Sequence, residues 1–520
     1  MAVKVKLEGA NARMIYVTVS GNTRWLSAEE IENRYEHDVY ILTKAFYSDE
    51  QILIQKDSDI TLANDDMFVK LELSQTLIKV EITAKGHLYT GIESNPSSND
   101  KEYKNQIKRT LYNVLKDLTH KELPWGILTG VRPTKLVLEY LEQNHQDGAD
   151  KILKEIRERF LTEYLCSEEK TNLSLEVAKK ELSILESIDY KNSYSIYIGI
   201  PFCPTTCLYC SFTSYSIDKM KHMVDQYLEA LKKEITYSKD AFHKKLSTLY
   251  IGGGTPTSLS EEQLEELLSH IDQTFDTSKL MEYTVEAGRP DSITREKLRI
   301  LKKYGVTRIS INPQSMVQRT LDVIGRKHSV EDVIQVFHEA REEGHHNINM
   351  DLIVGLPGER EEDIRYTLEE IEKLNPESLT VHTLAIKRAA RLNMEKEAYK
   401  DMTPTDTSKM LEITSQYAID HDYSPYYLYR QKNMADNLEN VGYSKEGMEG
   451  IYNMLIMEEK QTIIALGAGA LSKFIFYDEN RIERVENVKS LNDYIGRIDE
   501  MIERKKVFLE HNKEVLERKF

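Results

Sequence analysis

The chain places a strand-like segment directly before a cysteine loop, in the stretch Tyr194-Ser-Ile-Tyr-Ile-Gly-Ile-Pro-Phe-Cys203-Pro-Thr-Thr-Cys207-Leu-Tyr-Cys210. Three of the four cysteines in the sequence lie in this loop. Three thiolates at this spacing can hold three irons of a [4Fe–4S] cluster and leave the fourth iron without a protein ligand. Ferredoxin clusters and structural zinc sites take four protein ligands instead. The stretch therefore predicts an iron–sulfur site with one open iron, and a zinc site or three merely buried cysteines are the alternatives.

The remaining cysteine lies well upstream, in Leu165-Cys166-Ser167. A lone cysteine in such a setting is typical of a small buried side chain and not of a metal ligand. We therefore predict that Cys166 is buried and takes no part in the iron–sulfur site.

From about residue 194 the sequence repeats a strand, a loop and a helix. One helix opens with the capping box Ser260-Glu-Glu-Gln263, and two others end at Gly305 and Gly344. Six consecutive units predict a parallel sheet with right-handed connections, and six units where a full barrel has eight predict an incomplete barrel. The six predicted strands are Tyr194–Ile200, Leu249–Ile251, Tyr283–Glu286, Arg308–Ile311, Ile348–Val354 and Leu379–Leu384.

Polar and glycine motifs follow the carboxyl ends of these strands. In βα barrels the chemistry collects at that rim. We therefore expect one site built from the cysteine loop after strand one, Gly252-Gly-Gly-Thr-Pro-Thr257 after strand two, Glu286 at the end of strand three, Gln314 after strand four, and Asp351 with Gly355-Leu-Pro-Gly358 on and after strand five.

The residue types at this rim suit a small charged ligand beside the cluster. Glycines let backbone amides and carbonyls approach the amino end of such a ligand. The carboxylates of Glu286 and Asp351 suit ribose hydroxyls or a sulfonium charge, and Arg326 can bind a carboxylate. The alternative is a tight glycine turn with solvated salt bridges at the rim.

The sequence divides into four segments. Residues 1–95 alternate like strands and predict a β-rich domain, and residues 96–188 change to helical periodicity. Residues 189–390 form the predicted core. Residues 391–520 predict a mainly helical C-terminal domain over the open side of the barrel, with Leu466-Gly-Ala-Gly-Ala-Leu471 as a close-packed turn.

Composition narrows the function classes. At 520 residues the chain is too long for one compact core, so two or three domains are expected. No run of about eighteen apolar residues and no secretory signal is visible, and an oxygen-sensitive cluster suits a reducing cytoplasm. The formal net charge of −17 argues against a broad nucleic-acid footprint, because such a surface is basic.

Four motifs together resemble those of one family, the radical S-adenosylmethionine (SAM) proteins that comprise coproporphyrinogen III dehydrogenases and haem chaperones. The motifs are Tyr197-x-Gly-Ile-Pro-Phe-Cys203, Gly252-Gly-Gly-Thr-Pro-Thr257, Arg308-Ile-Ser-Ile-Asn-Pro-Gln314 and Met350-Asp-Leu-Ile-Val-Gly-Leu-Pro-Gly358. The resemblance to the HemZ branch rests on the long N-terminal extension, Gly130-Val-Arg-Pro-Thr-Lys135 and Tyr429-Arg-Gln-Lys-Asn-Met434. It implies an α/β fold: an incomplete (βα)6 three-quarter TIM barrel as the radical SAM core, an α+β N-terminal extension and a mainly helical C-terminal domain.

The resemblance implies two cofactors, a [4Fe–4S] cluster and SAM, whose amino and carboxylate groups chelate the open iron. One electron, from a donor protein such as flavodoxin or ferredoxin, cleaves SAM to methionine and a 5′-deoxyadenosyl radical. In the dehydrogenase this radical takes a hydrogen from the β-carbon of a propionate, and loss of CO₂ and one electron leaves a vinyl group. Two such steps convert coproporphyrinogen III to protoporphyrinogen IX in porphyrin biosynthesis.

The functional positions of the family carry over by motif to this sequence. Cys203, Cys207 and Cys210 match the cluster ligands, and Tyr197 matches an aromatic residue beside the cluster, to which we assign a catalytic role. The first SAM site is matched by Gly253, Gly254, Thr255, Glu286, Gln314, Arg326 and Asp351. Candidates for the substrate pocket, with a solvated loop and an aromatic core patch as the alternative, are Lys387, Arg388, Arg391, Arg430, Lys432, Tyr423, Tyr426, Tyr427 and Tyr429.

Two differences from the sequences of the dehydrogenases leave more than one substrate in consideration. The chain has Ser211-Phe212 where they carry a fourth cysteine, and Gly199 where they carry a histidine. The Cys210-x-Phe212 ending resembles the haem-chaperone branch, which binds haem without decarboxylating coproporphyrinogen. The dehydrogenase is our first hypothesis, a haem chaperone is the second, and a radical SAM enzyme acting on RNA is the third.

Overall fold

The computed structural model describes residues 14–21, 28–48, 50–55, 65–130, 132–143, 149–211, 214–385, 390–395, 399, 402, 406–430 and 438–520. These residues form two compact units. One comprises the residues up to Leu175 together with Ala435–Leu438, and the other comprises Glu176–Met434 and Glu439–Phe520. Among the helices of these residues, none combines the length and the apolar character that crossing a membrane requires.

The first unit begins with a sheet and continues with helices. Its elements are β1 (Met14–Gly21), α1 (Ala28–Phe46), β2 (Gln51–Ile54), β3 (Met67–Leu73), β4 (Leu77–Ala84), β5 (His87–Ser94), α2 (Asp100–Thr119), α3 (Thr134–Gln143) and α4 (Ala149–Thr162). The next helix, α5 (Glu168–Ser187), begins in the first unit and ends in the second. The strand order is β2-β1-β3-β4-β5, with β1 parallel to both of its neighbours. The strand alternation in residues 1–95 corresponds to this sheet. Helix α1 was not predicted, although its buried Tyr35, Val39, Leu42 and Phe46 recur at helical spacing.

The second unit contains the predicted barrel. Its elements are β6 (Ser193–Ile200), β7 (Phe202–Cys203), β8 (Tyr215–Ser216), α6 (Ile217–Ser238), β9 (Lys245–Gly253), α7 (Glu261–Thr274), β10 (Glu282–Gly288), α8 (Arg295–Lys303), β11 (Arg308–Ile311), α9 (Gln318–Val323), α10 (Val330–Glu342), β12 (Ile348–Val354), α11 (Glu361–Leu374) and β13 (Ser378–Thr383).

The six predicted barrel strands are confirmed. In the order β6-β9-β10-β11-β12-β13 they are neighbours, and each pair is parallel. In the described sheet β6 and β13 are not paired with each other, so the barrel is open, as predicted. The capping box at Ser260 is formed, with Gln263 as its reciprocal partner.

As expected, helices predominate in the described residues of the C-terminal part, which also has strands that were not predicted. It contains α12 (Arg391–Met394), α13 (Thr407–Asp420), β14 (Ser424–Tyr429), β15 (Asn440–Ser444), α14 (Ile451–Glu458), β16 (Thr462–Leu466), β17 (Leu471–Phe476), β18 (Arg481–Glu486), α15 (Leu491–Gly496) and α16 (Ile498–Leu516).

Helices still contribute more residues to this part than strands do, but its strands extend the barrel sheet at both edges. β15 and β14 continue beyond β13, and β16, β17 and β18 continue beyond β6. The sequence analysis missed these strands because a short apolar run such as Thr462–Leu466 carries no periodicity that separates a buried strand from a helix. The predicted turn at Gly467-Ala-Gly-Ala470 lies between β16 and β17.

A buried polar network connects the last helix to the first barrel strand. Lys505 of α16 and Glu234 of α6 form an ion pair of 2.7 Å, with side chains 1% and 0% exposed. Glu234 also accepts a hydrogen bond from the backbone N–H of Gly467 at 2.9 Å. The backbone N–H of Ala468 donates to the hydroxyl of Tyr227. That hydroxyl in turn donates to the carbonyl of Gly199 in β6 at 2.5 Å. The network therefore holds the turn after β16 against the end of β6.

Candidate active site

The cysteine loop is held in place by backbone hydrogen bonds. β7 pairs with β8 at Cys203, and the N–H of Leu208 donates to the carbonyl of Ile324 at 2.9 Å. The N–H of Cys210 donates to the carbonyl of Cys207 at 3.2 Å. Cys207 is buried, and the other two loop cysteines are half-buried. Cys166 is buried in the first unit, as predicted, with its thiol 3.4 Å from the carbonyl of Trp125.

Arg289 contacts the cysteine loop and was missed by the sequence analysis. Its Nη1 donates to the carbonyl of Thr205 at 3.0 Å and lies 3.7 Å from the Sγ of Cys207. The side chain is 3% exposed and forms an ion pair with Asp291 at 2.6 Å. A buried positive charge beside Cys207 suits a thiolate that ligates an iron–sulfur cluster. The available signal was its position, directly after the end of β10.

Three cysteine thiols are the donor type that an iron–sulfur cluster takes. In an iron–sulfur cluster each thiolate binds a different iron, so the thiols do not converge on one point. Cys203, Cys207 and Cys210 all line one cavity of about 390 Å³. Three thiols beside one cavity therefore fit a [4Fe–4S] cluster whose fourth iron takes a ligand from the cavity.

The glycine loop after β9 packs against the backbone of the cysteine loop. The N–H groups of Gly254 and Thr255 donate to the carbonyls of Ile200 at 2.8 Å and Phe202 at 2.7 Å. A Cβ at Gly254 would lie 2.5 Å from the carbonyl oxygen of Phe202, and Gly253 has φ +105°. Both positions therefore require glycine, the first because of close backbone approach and the second because of its dihedral angle.

We expect Gly254→Ala to weaken SAM binding by at least about tenfold, because the added methyl must displace the glycine loop from the cysteine loop. Calorimetric titration of SAM into cluster-reconstituted protein measures this. Gly496→Ala is the matched control, since a Cβ there meets nothing within 4 Å. Equal SAM affinities for the two variants would show that the close packing at Gly254 does not position the ligand.

Glu286 lies near the end of β10 and faces the glycine loop. Its Oε2 accepts from the N–H of Gly253 at 3.3 Å, and the hydroxyl of Tyr250 donates to its Oε1. Burial raises the pKa of Glu286 to about 7, and the nearby charge of Asp351 adds to the rise. The ionised carboxylate can accept further hydrogen bonds from the hydroxyls of a ligand, and the ribose of SAM would supply such hydroxyls.

The raised pKa of Glu286 has a consequence for stability. Between its ordinary value of 4.5 and about 7, the folded protein binds more protons than the unfolded chain, so the free energy of unfolding falls as the pH rises through this window. Glu286→Gln removes this dependence, and we expect it to stabilise the ligand-free protein by about 2 kcal/mol at about pH 8 but not at about pH 4. Urea unfolding at several pH values tests this, with the exposed Glu514→Gln as control. A parallel pH dependence in wild type and Glu286→Gln would contradict the assignment.

Gln314 and Arg326 lie together after β11. Gln314 has φ 69°, and its N–H donates to the carbonyl of Asp351 at 2.9 Å, which fixes it beside β12. Arg326 is 6% exposed, and it donates from Nη1 to the carbonyl of Asn312 at 2.5 Å and from Nη2 to the hydroxyl of Tyr209 at 3.2 Å. Its buried Nε finds no hydrogen-bond partner among the described residues. The guanidinium lines the same cavity as Gln314, and its positive charge suits an anionic group on a ligand.

Asp351 lies in β12, as predicted, with its carboxylate already engaged by protein groups. Asn349 donates to its Oδ1 at 2.7 Å, and the Nε2 of His382 lies 3.8 Å from its Oδ2. Burial by itself would raise the pKa of Asp351, but the nearby His382 and the hydrogen bond from Asn349 outweigh it and hold the pKa below its usual value. Asp351 is therefore a carboxylate that orients His382 as well as facing the cavity.

Tyr197 lies behind the glycine loop. Its ring stacks on Tyr250 at 6.2 Å and on Tyr452 at 6.4 Å, and those two stack on each other at 4.4 Å between centroids. Its hydroxyl lies 3.0 Å from where a Cβ at Gly253 would stand. Tyr250 lines the cavity, whereas Tyr197 is not among the described residues that do. This geometry gives Tyr197 contact with the glycine loop, and the catalytic role assigned to it stays a prediction.

The structure brings the predicted cluster and SAM residues to one place. The predicted residues that line this one cavity are Cys203, Cys207, Cys210, Gly253, Gly254, Thr255, Glu286, Gln314, Arg326 and Asp351. The side chains at this cavity that the sequence analysis did not select include Tyr250, Arg289, Asn312, His382 and Asn440. Four of them lie at or next to the end of a strand, which was the available signal, and Tyr250 lies within β9.

The predicted substrate-pocket residues divide into three groups. Tyr427 and Tyr429 line the cavity. Arg391 forms an ion pair with Glu395 at 3.3 Å. The remaining described residues of this set, Tyr423, Tyr426 and Arg430, are buried. Lys387, Arg388 and Lys432 lie outside the described residues, as does Phe212 of the cysteine-loop ending.

Comparison with known proteins agrees with this geometry. The profile of the Radical SAM superfamily matches residues 197–371. The chain is 43% identical over 461 residues to the oxygen-independent coproporphyrinogen-III oxidase-like protein HemZ of Bacillus subtilis, covering 86% of this chain and 90% of that protein. It is 36% identical over 281 residues to the heme chaperone HemW of Bacillus subtilis, covering 53% of this chain and 70% of that one. The solved structure of coproporphyrinogen III oxidase (HemN) from Escherichia coli is similar at 22% identity and a TM-score of 0.49, covering 62% of this chain and 73% of that one.

Proposed function

This chain belongs to the HemZ branch of the oxygen-independent coproporphyrinogen-III oxidase-like radical SAM proteins, and from that premise we propose that it oxidatively decarboxylates two propionates of coproporphyrinogen III to give protoporphyrinogen IX. The radical SAM family uses a [4Fe–4S] cluster and SAM. The observation that supports the proposal is that one cavity is shared by the three thiols, the SAM residues and several tyrosines, among them Tyr427 and Tyr429. These tyrosines offer a second ligand an apolar surface beside the reacting groups.

Within this proposal, the residues of the chain bind and orient. Cluster and SAM together supply a radical that can take a hydrogen atom from an unactivated carbon. Gly253 and Gly254 let the backbone approach the ligand, and Glu286 accepts hydrogen bonds from its hydroxyls. The guanidinium of Arg326 lines the cavity, and its positive charge suits the carboxylate of SAM. Arg289 keeps a positive charge beside Cys207.

The tyrosines of the cavity contribute apolar surface and exclude water. The rings of Tyr427 and Tyr429 stack with their centroids 6.3 Å apart and an interplanar angle of 8°. Gly442 leaves room for the Tyr427 ring, because a Cβ at position 442 would lie 1.9 Å from it. Flat aromatic faces of this kind suit a planar or ruffled macrocycle. Excluding water also protects a reactive intermediate from side reactions.

The test uses anaerobic protein with a reconstituted cluster. Reductant, SAM and coproporphyrinogen III are added, and 5′-deoxyadenosine and vinyl products are followed by mass spectrometry. We expect both 5′-deoxyadenosine and vinyl products. The natural electron donor is expected to be a protein such as flavodoxin or ferredoxin. Deoxyadenosine without any vinyl product would overturn the proposed decarboxylation while leaving the radical chemistry in place.

A second candidate function is a haem chaperone. It is favoured by the 36% identity to the heme chaperone HemW and by the Cys210-x-Phe212 ending of the cysteine loop. This function predicts a stable haem complex with a Soret band and no turnover of coproporphyrinogen III. Haem titration and the mass-spectrometric assay on the same preparation separate the two functions.

A further inference from the structure

Strand β5 lies at one edge of the sheet in the first unit, beyond β4. Its eight residues pair with β4 without a break in register, and they include neither proline nor lysine, two residues that commonly protect an edge strand. Two large apolar side chains stand exposed on it, Leu88 at 62% and Ile92 at 58%. Among the described residues, β5 is therefore a regular edge strand with apolar side chains open to pairing.

The pairing with β4 fixes which backbone groups of β5 point outward. The two-residue turn before β5 makes Ala84 and His87 a hydrogen-bonded pair, and just after the strand the N–H of Asn95 donates to the carbonyl of Thr76 at 2.9 Å. Odd-numbered residues of β5 therefore use their backbone groups toward β4, because the pattern alternates along an antiparallel pair. The backbone groups that point away from β4 belong to Leu88, Thr90 and Ile92.

The sequence of β5 is complementary to itself in the antiparallel direction. When Thr90 lies opposite Thr90 of a second copy, Leu88 lies opposite Ile92, and His87 lies opposite Glu93. The three outward-pointing residues then form hydrogen-bonded pairs with apolar side chains beside each other. His87 and Glu93 form a non-hydrogen-bonded pair, in which an imidazole meets a carboxylate at close range. The register therefore matches apolar with apolar and a base with an acid.

The face of β5 that packs on α2 fits the same register. A Cβ at Gly91 would lie 2.6 Å from the Cγ2 of Val114 in α2, so this position has no space for a side chain of its own. In the register centred on Thr90, Tyr89 of the second copy stands opposite Gly91. An aromatic ring beside a strand glycine covers backbone that the glycine leaves bare.

We propose that the free edge of β5 is the docking surface for a second copy of this chain. The two β5 strands pair antiparallel across a two-fold axis at Thr90 and join two five-stranded sheets into one of ten strands. The contact is isologous, because each copy presents the same strand to the other. It goes beyond the proposed function, since it depends on neither the cluster nor the tetrapyrrole.

The first test is analytical ultracentrifugation of cluster-reconstituted full-length protein over a wide range of concentration. Thr90→Pro removes an outward-pointing N–H that β4 does not use, and Ile92→Lys places a charge in the apolar pair. Leu53→Lys is the matched control, because Leu53 is 37% exposed on β2 at the opposite edge of the same sheet.

We expect wild type to show a monomer–dimer equilibrium. Thr90→Pro and Ile92→Lys should raise its dissociation constant by at least about tenfold, and Leu53→Lys should leave it unchanged. Thermal unfolding shows whether each variant is folded, and Ile92→Lys decides the question if Thr90→Pro does not fold. A protein that stays monomeric at every concentration would overturn the proposal, as would a dimer that neither variant weakens or that Leu53→Lys weakens equally.

A charge exchange tests the register. His87→Glu places two carboxylates opposite each other and should weaken the dimer, whereas His87→Glu with Glu93→Lys should restore it. Weakening without recovery in the double variant would overturn the register centred on Thr90.

A cross-link tests the axis directly. Thr90→Cys places two thiols across it, and a short bis-maleimide should join them into a covalent dimer. Reconstitution keeps the loop cysteines bound to iron, and Cys166 is buried. Leu53→Cys is the control and should not be joined. Equal cross-linking of the two variants would contradict an axis at Thr90.

Discussion

Replacing Cys207 by alanine is expected to reduce SAM cleavage and vinyl formation to the detection limit. Cys207 is buried beside Arg289 and lies in the middle of the cysteine loop. Without its thiolate the loop offers two iron ligands, so an intact cluster with one open iron cannot be held. Iron and sulfide content, electron paramagnetic resonance of the reduced protein and 5′-deoxyadenosine formation measure the three expected losses independently.

Cys166→Ala is the matched control for this substitution. Cys166 is buried in the first unit, where its thiol contacts the carbonyl of Trp125. We expect the variant to keep its cluster and its SAM cleavage, with only a modest loss of stability. If Cys207→Ala retained a full cluster, or Cys166→Ala lost it, the assignment of the three loop cysteines as ligands would be wrong.

Removing the buried lysine of the C-terminal helix should have the largest effect on stability. In Lys505→Met, Glu234 keeps its negative charge at a fully buried position, and its main counter-charge is gone. Breaking a buried ion pair by removing one partner typically lowers the free energy of unfolding by about 3 to 5 kcal/mol. Urea unfolding followed by circular dichroism measures the loss.

Two further variants make this result interpretable. Lys506→Met changes the neighbouring residue, whose side chain is 48% exposed and lies 3.8 Å from Glu503, and should change stability by less than about 0.5 kcal/mol. In Lys505→Met with Glu234→Gln the buried charge is removed, so part of the loss should be recovered. Equal stabilities of Lys505→Met and Lys506→Met would show that the pair does not hold the turn after β16 in place.

The core of the fold could be predicted from local patterns. The six barrel strands are runs of β-branched and aromatic residues followed by helices with recognisable caps, such as the one at Ser260. Because parallel strands place their carboxyl ends at one rim, the residues after each strand could be expected at one site without any coordinates. The strands of the C-terminal part could not be assigned in this way, since β16 is a short apolar run whose place in the sheet depends on its pairing with β6 and β17.

The sequence by itself determined the chemistry of the site: three cysteines with one ligand missing, glycines where a backbone approaches closely, and carboxylates at strand ends. Only the tertiary structure decided which residues join them. Arg289 reaches Cys207, and Lys505 neutralises Glu234. These pairings connect positions far apart in the chain, and no local periodicity encodes them. They depend on which strands become neighbours and on the energetic need of each buried polar group for a partner.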